Sequence, residues 1–335
     1  MVEVPDPRSA PPLRWGILGP GGIAGAFAWA VRQHTRGELI AVGSRSVERA
    51  EAFAGEYGVG RVHVGYEALV EDPQVEAVYV ATPHSAHAEH ALLAIAAGKH
   101  VLVEKAFTRN AAEAEEVFAA ARDAGVFVME AMWTRFLPHV LALHEVLDRG
   151  DIGEVVGVMA DHGQNMRHHP ATHRLHNRDL AGGALLDLGV YPVSFAHDLL
   201  GRPDRISALG SLTDGGVDGQ VTISLGFGER AQASLHTTLW AQTPTSAAVF
   251  GSTGRVEVAR HFYRPTSFDV INERGDRWTW RQEVEGGLQY EAAEVARCVA
   301  EGRRQSDRMP WQGTLDVMRT LDLVRAEVGV VYPGE

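Results

Sequence analysis

Three side chains of this 335-residue chain have the type and placement to handle protons: Lys105, Asp187 and Tyr191. Lys99 and Lys105 are the only lysines; every other basic residue is arginine, which does not release a proton near neutral pH. Lys105 closes a β-rich run in Glu104-Lys105-Ala106, and the preceding β-rich run closes in Ala81-Thr82-Pro83-His84. At the rim of a ligand crevice, desolvation and nearby cations disfavour an ammonium, so a lysine there can donate a proton to a carbonyl oxygen. The same placement also suits an ordinary lysine at a strand end. Asp187 and Tyr191 stand four apart in GGALLDLGVYP, which on a helix puts them on one face. A phenol beside an ammonium forms an acid/base pair, because the cation stabilises phenolate. A helix-start aspartate and a core tyrosine would fit the same residues.

A second constellation points to a dinucleotide. Gly19-Pro20-Gly21-Gly22-Ile23-Ala24 matches G-x-G-x-x-G/A directly after an apolar run and before a helical one. Gly19 allows the tight turn, Gly21 lets backbone approach a pyrophosphate, and Ala24 keeps the helix close to the strand. The helix N-terminus, from Gly22 and Ile23, then offers N–H groups to phosphate. An enzyme reading an unmodified ribose wants a carboxylate at the end of the next strand; here that place holds Gly43-Ser44-Arg45-Ser46. Ser44 can hydrogen-bond a 2′-phosphate and Arg45 can supply charge and stack on adenine, so NADP is expected over NAD. Arg45 could equally be a solvated turn residue, with Glu48 serving another purpose.

These residues need a parallel sheet to present them. The first third alternates β-rich runs (Leu13–Leu18, Leu39–Val42, Arg61–Val64, Ala77–Ala81, His100–Val103, Val126–Met129) with helical ones (Ile23–Gln33, Val47–Tyr57, Ala86–Ala97, Ala111–Ala124). That alternation predicts an α/β, doubly wound Rossmann sheet, with ligands at the carboxyl ends of its strands. Beyond about Ile152 the β-rich runs follow one another: Val155–Asp161, Arg205–Leu212, Val221–Phe227, Ala231–Thr238, Ser246–Gly251 and Arg255–Ala259. They predict an α+β domain with an open, mostly antiparallel sheet, interrupted by helices at Ala184–Leu200, Leu288–Glu301 and Gln312–Glu327. The expected organisation is a flexible arm over 1–12, a Rossmann domain over 13–150 and a substrate and dimerisation domain over 151–335. The linker would lie in RGDIGE, and the C-terminal helix could pack back on the first domain.

Composition narrows the setting. The formal net charge of -12 argues against nucleic-acid binding, which needs basic patches. No apolar run is long enough to span a membrane, and the polar, proline-rich start lacks the pattern of a secretory leader. Cys298 is the single cysteine, which excludes an internal disulfide and fits a reducing cytoplasm. Five histidines fall between His162 and His176; His173 and His176 have ligand-like spacing, but no acid or cysteine adjoins them. A loop hydrogen-bonding substrate hydroxyls, with His169 in it, is expected, and no metal. Trp133, Arg135 and Phe136, at the start of the helix after the sixth strand, could wall a substrate pocket, as could Trp240, Phe262 and Tyr263; packing is the alternative for each. Trp278 and Trp280 alternate on one strand face and suggest an interface, as does Trp240, so a homodimer is expected.

The motifs GPGGIA, ATPHSAHAEHALLAIAAGKHVLVEKA, MEAMWTRFLP and GGALLDLGVYPV resemble the glucose–fructose oxidoreductase (Gfo/Idh/MocA) family over nearly the whole chain. MEAMWTRFLP, Tyr191 and the tail YEAAEVARCVAEG resemble its dimeric dihydrodiol dehydrogenase and xylose-type aldose dehydrogenase branch. The resemblance implies an active site of Lys105, Asp187 and Tyr191, with Thr82, Pro83, His84, His87 and Glu104 on the cofactor side. Many relatives carry histidine where Tyr191 stands. The family also has proline after the lysine, commonly through a cis bond, where this chain has Ala106. The implied activity is NADP-dependent hydride transfer to or from a small polyol, aldose, trans-dihydrodiol or dicarbonyl. Two other readings suit the same fold: a dinucleotide-sensing regulator without turnover, and a glycosidase that oxidises its substrate only transiently.

Overall fold

The computed structural model describes residues 4–170 and 172–335. They form two compact units, Pro5–Trp133 with Gly286–Thr314, and Thr134–Glu285 with Leu315–Glu335.

The first unit carries six strands: β1 (Arg14–Leu18), β2 (Glu38–Ser44), β3 (Arg61–Val64), β4 (Ala77–Val80), β5 (His100–Glu104) and β6 (Val128–Ala131). All pair in parallel in the order β3-β2-β1-β4-β5-β6. Strands β4 and β6 are buried throughout, the continuous apolar pattern of a sheet covered on both faces. Between them run α1 (Gly22–His34), α2 (Val47–Tyr57), the single turn α3 (Glu67–Val70), α4 (His87–Ala96) and α5 (Ala111–Ala124). Sequence neighbours diverge on either side of β1, so the topological switch point, where such sheets bind ligands, lies between β1 and β4. Trp15, Phe27 and Tyr79 form the core beneath it, with Phe27 stacked on Tyr79 at 3.9 Å.

The second unit begins at Thr134, within the 3-10 turn Trp133–Phe136, and continues with α6 (Pro138–Asp148) and β7 (Val155–Gly163). A π-helical turn, Leu185–Gly189, runs into α7 (Val190–Leu200). Seven further strands follow: β8 (Arg205–Leu212), β9 (Asp218–Phe227), β10 (Ala231–Thr238), β11 (Ala247–Gly251), β12 (Gly254–Val258), β13 (Phe268–Asn272) and β14 (Arg277–Trp280). Their order is β14-β13-β12-β11-β7-β10-β9-β8, antiparallel apart from the β7–β10 pair. Helix α8 (Leu288–Ala300) groups with the first unit, and α9 spans Trp311–Val328.

Three local expectations need correcting. Residues 5–12 are not a loose arm: Pro7–Ser9 forms a 3-10 turn capped by Asp6, Pro7 and Ala10 are buried, and Arg297 donates to the Asp6 carbonyl at 2.9 Å. That partner is remote in sequence, so local composition does not show it. The change of unit falls at 133–134 rather than in RGDIGE, because α6 packs with the second unit, His139 hydrogen-bonding the Phe262 carbonyl at 2.9 Å. The segment at 184–200 starts as a π turn rather than a uniform α-helix. No helix among the described residues is long and apolar enough to cross a membrane.

Candidate active site

In the first unit, the glycine turn folds as its letters predict. Gly19 has φ +96°, and a Cβ there would sit 2.9 Å from Thr82 Cγ2 and 3.1 Å from the Ala81 carbonyl, so only glycine lets β1 end this close to β4. Gly21 caps α1, and a side chain on Gly21 or Gly22 would meet open space. Ala24 is fully buried beneath the turn and Ile23 is exposed at the helix start. The first N–H groups of a helix have no intrahelical acceptor, so the turn forms a cradle of suitable shape and polarity for a pyrophosphate.

At the end of β2, Ser44 is buried and its hydroxyl accepts from the Ser46 N–H at 3.1 Å. Arg45 is exposed. Glu48, the nearest carboxylate in sequence, is held by the Ser46 hydroxyl at 2.7 Å. Arg49 reaches across to the glycine turn, donating to the Pro20 carbonyl at 3.4 Å. Arg49, in the first turn of α2, is absent from the sequence-based candidates; Arg45 precedes the helix, so no helical period links the two.

Lys105 stands at the carboxyl end of β5, half-buried, and its peptide bond to Ala106 is cis. Its N–H donates to Glu104 at 3.2 Å, and buried Glu104 also accepts a hydrogen bond from the buried Tyr79 phenol. His87 joins the two strand ends: Nδ1 lies 2.9 Å from the Ala106 carbonyl and Nε2 2.7 Å from the Thr82 carbonyl. Burial pushes its pKa down to about 4, against the two carbonyls that favour the charged ring. A neutral imidazole donates to only one of them at a time. Pro83 leads into a 3-10 turn at His84–Ala86; buried His84 packs edge-on against His87 at 5.5 Å. His90 pairs with the Thr82 hydroxyl at 3.0 Å. Behind this rim lie further buried acids; burial and the charges of Glu104 and Glu130 push Glu291 well above the usual carboxylate range.

In the second unit, Asp187 lies in the π turn and Tyr191 in the first turn of α7, both buried. Arg174 donates to Asp187 Oδ1 at 2.9 Å. The Tyr191 ring lies 4.8 Å from Tyr263 and 5.3 Å from His162, and His162 stacks on Tyr263 at 4.4 Å. Burial, with the charge of Asp187, pushes the Tyr263 phenol up against the pull of Arg264. The histidine loop adjoins this cluster: His169 stacks on His173 at 4.1 Å, and His173 feels the charges of Arg174 and Asp187. His176 instead meets the Met166 carbonyl at 3.0 Å. Among the described residues, no three histidines, cysteines or acids are placed to hold a metal ion.

Several pocket-wall expectations are not met. Arg135 is buried, donates to Ser194 Oγ at 3.1 Å and pairs with Asp198 at 3.6 Å, so it anchors α7. Phe136 and Phe262 are core residues, Phe262 lying 5.4 Å from Phe195. Trp240 packs on its own unit's cluster of Leu175, Ala184, Leu188 and Leu239 and covers Gly219, so it is neither a free pocket wall nor part of an exposed face. Trp133 is half-buried in its 3-10 turn. Arg174 and Tyr79, which contact the candidate residues directly, belong to no sequence motif that singles them out.

Residues 13–132 match the model of an oxidoreductase family with an NAD-binding Rossmann fold, and residues 140–257 match the C-terminal domain of the same Gfo/Idh/MocA family. The chain belongs to the Gfo/Idh/MocA oxidoreductase family. It is an enzyme, its named relatives being dehydrogenases and reductases. It is 35% identical to the trans-1,2-dihydrobenzene-1,2-diol dehydrogenase of Bos taurus, over 96% of this chain and 99% of that one. It is 34% identical to the D-xylose 1-dehydrogenase (NADP(+)) of Hypocrea jecorina, covering 96% and 93% respectively. Among solved structures, a 3-ketoreductase from Actinomadura kijaniata, in complex with NADP and TDP-benzene, superposes with a TM-score of 0.85 at 28% identity, covering 95% of this chain and 98% of that one.

Proposed function

We propose that this Gfo/Idh/MocA member is an NADP-dependent dehydrogenase or reductase acting on a CH–OH group of a small polyol, aldose, trans-dihydrodiol or dicarbonyl. The observation that carries the cofactor choice is the mouth at the end of β2. Arg45 is exposed there, Arg49 lies against the glycine turn, and Glu48 is engaged by Ser46. Two cations at this mouth suit a 2′-phosphate. The Hypocrea jecorina relative is named for NADP(+), and the Actinomadura kijaniata structure holds NADP.

The bound nicotinamide supplies the hydride; this chain's residues supply binding, orientation and the proton. Gly21, Gly22 and the start of α1 would hold the pyrophosphate, with Thr82, Pro83, His84, His87 and Glu104 along the cofactor side. Tyr191 is the proton donor or acceptor at the reacting oxygen. Lys105 is the cation that favours its phenolate and contacts that oxygen. Asp187, paired with Arg174 at 2.9 Å, orients substrate hydroxyls or the lysine. The protein is read as a cytoplasmic homodimer, joined through the outer face of its eight-stranded sheet, where Met159 and Leu209 are 51% and 81% exposed.

The test is a spectroscopic screen of NADP reduction over aldoses, polyols and dihydrodiols, with NAD in parallel. Net reduction supports the reading. Substrate turnover without net reduction would indicate transient oxidation, and binding without turnover a sensor.

A further inference from the structure

Asp218, at the start of β9, is fully buried although it is an acid with no cationic hydrogen-bond partner beside it. It accepts from the Leu185 N–H at 2.6 Å, the first residue of the π turn that carries Asp187. Among the described residues, its other oxygen, Oδ1, has no hydrogen-bond partner. The chain is shaped around it. Gly183 sits at φ +119°, and a Cβ there would lie 2.1 Å from Asp218 Oδ1. The Tyr332 phenol donates to the Gly182 carbonyl at 2.7 Å. Arg325 fixes the end of that tail, donating to both carboxylate oxygens of Glu335 and lying 4.8 Å over the Tyr332 ring. Two remote segments thus meet three positions of one turn, 182, 183 and 185, just ahead of Asp187.

We propose that Asp218 is a positioning residue for the reaction: with Tyr332, it sets the backbone of the 182–185 turn and thereby the aim of Asp187 and Tyr191. This rests on the roles assigned above to Asp187 and Tyr191. A carboxylate in this position costs the fold stability, since a buried, incompletely paired charge is unfavourable. Burial outweighs the N–H groups of Leu185 and Ala184 and the attraction of Arg325, and pushes Asp218 up to about 7. The groups acting on it from neighbouring elements are Arg325 of α9 and Tyr332 of the tail; Thr237 of β10, hydrogen-bonded to the Ala184 carbonyl at 3.3 Å, does not titrate. An acid raised in the folded state destabilises once ionised, so its cost is greatest above about 7 and relieved below it. Function and stability therefore pull in opposite directions at this residue. A group kept only to stabilise the turn would not show that opposition.

The experiment compares wild type, Asp218→Asn and Tyr332→Phe in kcat, KM for each substrate, cofactor dissociation constant and melting temperature across the neutral pH range. With any substrate the wild type turns over, Asp218→Asn should lower kcat roughly 10-fold, within the usual effect of a misplaced catalytic group. It should leave cofactor affinity unchanged, and above neutral pH it should melt at or above the wild-type temperature. The wild-type loss of kcat as pH falls through about 7 should be absent from this variant. Tyr332→Phe, a change of one hydroxyl, should lower kcat in the same direction with the pH limb retained. Unchanged kcat in both variants would overturn the proposal. Parallel loss of kcat and melting temperature with the pH limb intact would also overturn it, leaving a plain structural cap. If the wild type turns over no CH–OH substrate, the functional reading fails first, and a Tyr332→Phe chain that still folds separates that failure from this one.

Discussion

Reversing the charge at Arg45 is the sharpest test of the cofactor reading. The side chain is exposed at the end of β2, so Arg45→Asp leaves no cavity and breaks no buried contact. Loss of a charge-assisted hydrogen bond is worth about 1.5–3 kcal/mol, with the lower end expected at an exposed position. A phosphate carrying about -1.5 to -2 charges, held roughly 6 Å from a side chain that passes from positive to negative, adds about 2 kcal/mol in water. Physiological salt, with a screening length of about 8 Å, removes about half of that. The total is about 2–3 kcal/mol, or roughly a 30- to 150-fold rise in the NADP dissociation constant. NAD has no 2′-phosphate and should change by less than about 3-fold. Binding of both cofactors, followed by tryptophan fluorescence or calorimetry at two salt concentrations, reads the difference directly. Arg49→Ala should act in the same direction but less, since Arg49 also donates to Pro20. Equal weakening of NADP and NAD by Arg45→Asp would refute the reasoning, because it would mean that Arg45 serves the adenosine or the fold and not the phosphate.

Other outcomes follow from the rest of the structure. Tyr191→Phe should lower turnover about 10²–10⁴-fold, the range of general acid–base catalysis, with cofactor affinity little changed. Lys105→Met should cost as much, and the double variant scarcely more; if the two effects multiply, the two residues act independently. Burial pushes His139 down to about 4, so its contribution to stability is complete above the unfolded value near 6.5 and lost as pH falls toward about 4. His139→Gln, which keeps a donor for the Phe262 carbonyl, should therefore lose about 2 kcal/mol less stability than wild type between about pH 7 and pH 5, measured by denaturant titration. Light scattering at micromolar concentration should give twice the mass of the chain, and Met159→Glu should shift it toward the monomer; a wild-type monomer would remove the dimer from the reading.

What was legible in the sequence was what short-range order encodes. The six parallel strands declare themselves because each is a short apolar run followed by a helical period, and the glycine turn because its backbone needs are met within six residues. The order β3-β2-β1-β4-β5-β6 then places Gly19, Ser44, Thr82 and Lys105 at carboxyl ends by topology alone. Expectations failed where a local pattern had two outlets. Arg135 and Phe136 fit either a pocket wall or a core, and the deciding partners, Ser194 and Asp198, come from a helix some sixty residues on. Trp240 was read with Trp278 and Trp280 as one aromatic face, yet it turns inward onto Leu188 and Leu239 while Trp278 stays 42% exposed.

The residues that surround the candidate chemistry escaped the sequence reading for a related reason. Arg174 reaches Asp187 across a loop, Tyr79 reaches Glu104 across a strand pair, and Asp218 reaches Leu185 from the start of β9. None of these pairs falls at a helical or strand period, so no window of residues signals them. Their types gave no warning either: an aspartate at a strand start and a tyrosine near a chain's end read as surface residues. Burial changes that meaning. Once Asp218 is dry, its carboxylate costs stability when ionised, and the backbone it grips is the one that carries Asp187. A substitution series at such buried pairs therefore carries more information about mechanism than one along the motifs, since the motifs fix where the cofactor can bind and the buried partners fix how the second unit's acid and phenol are aimed.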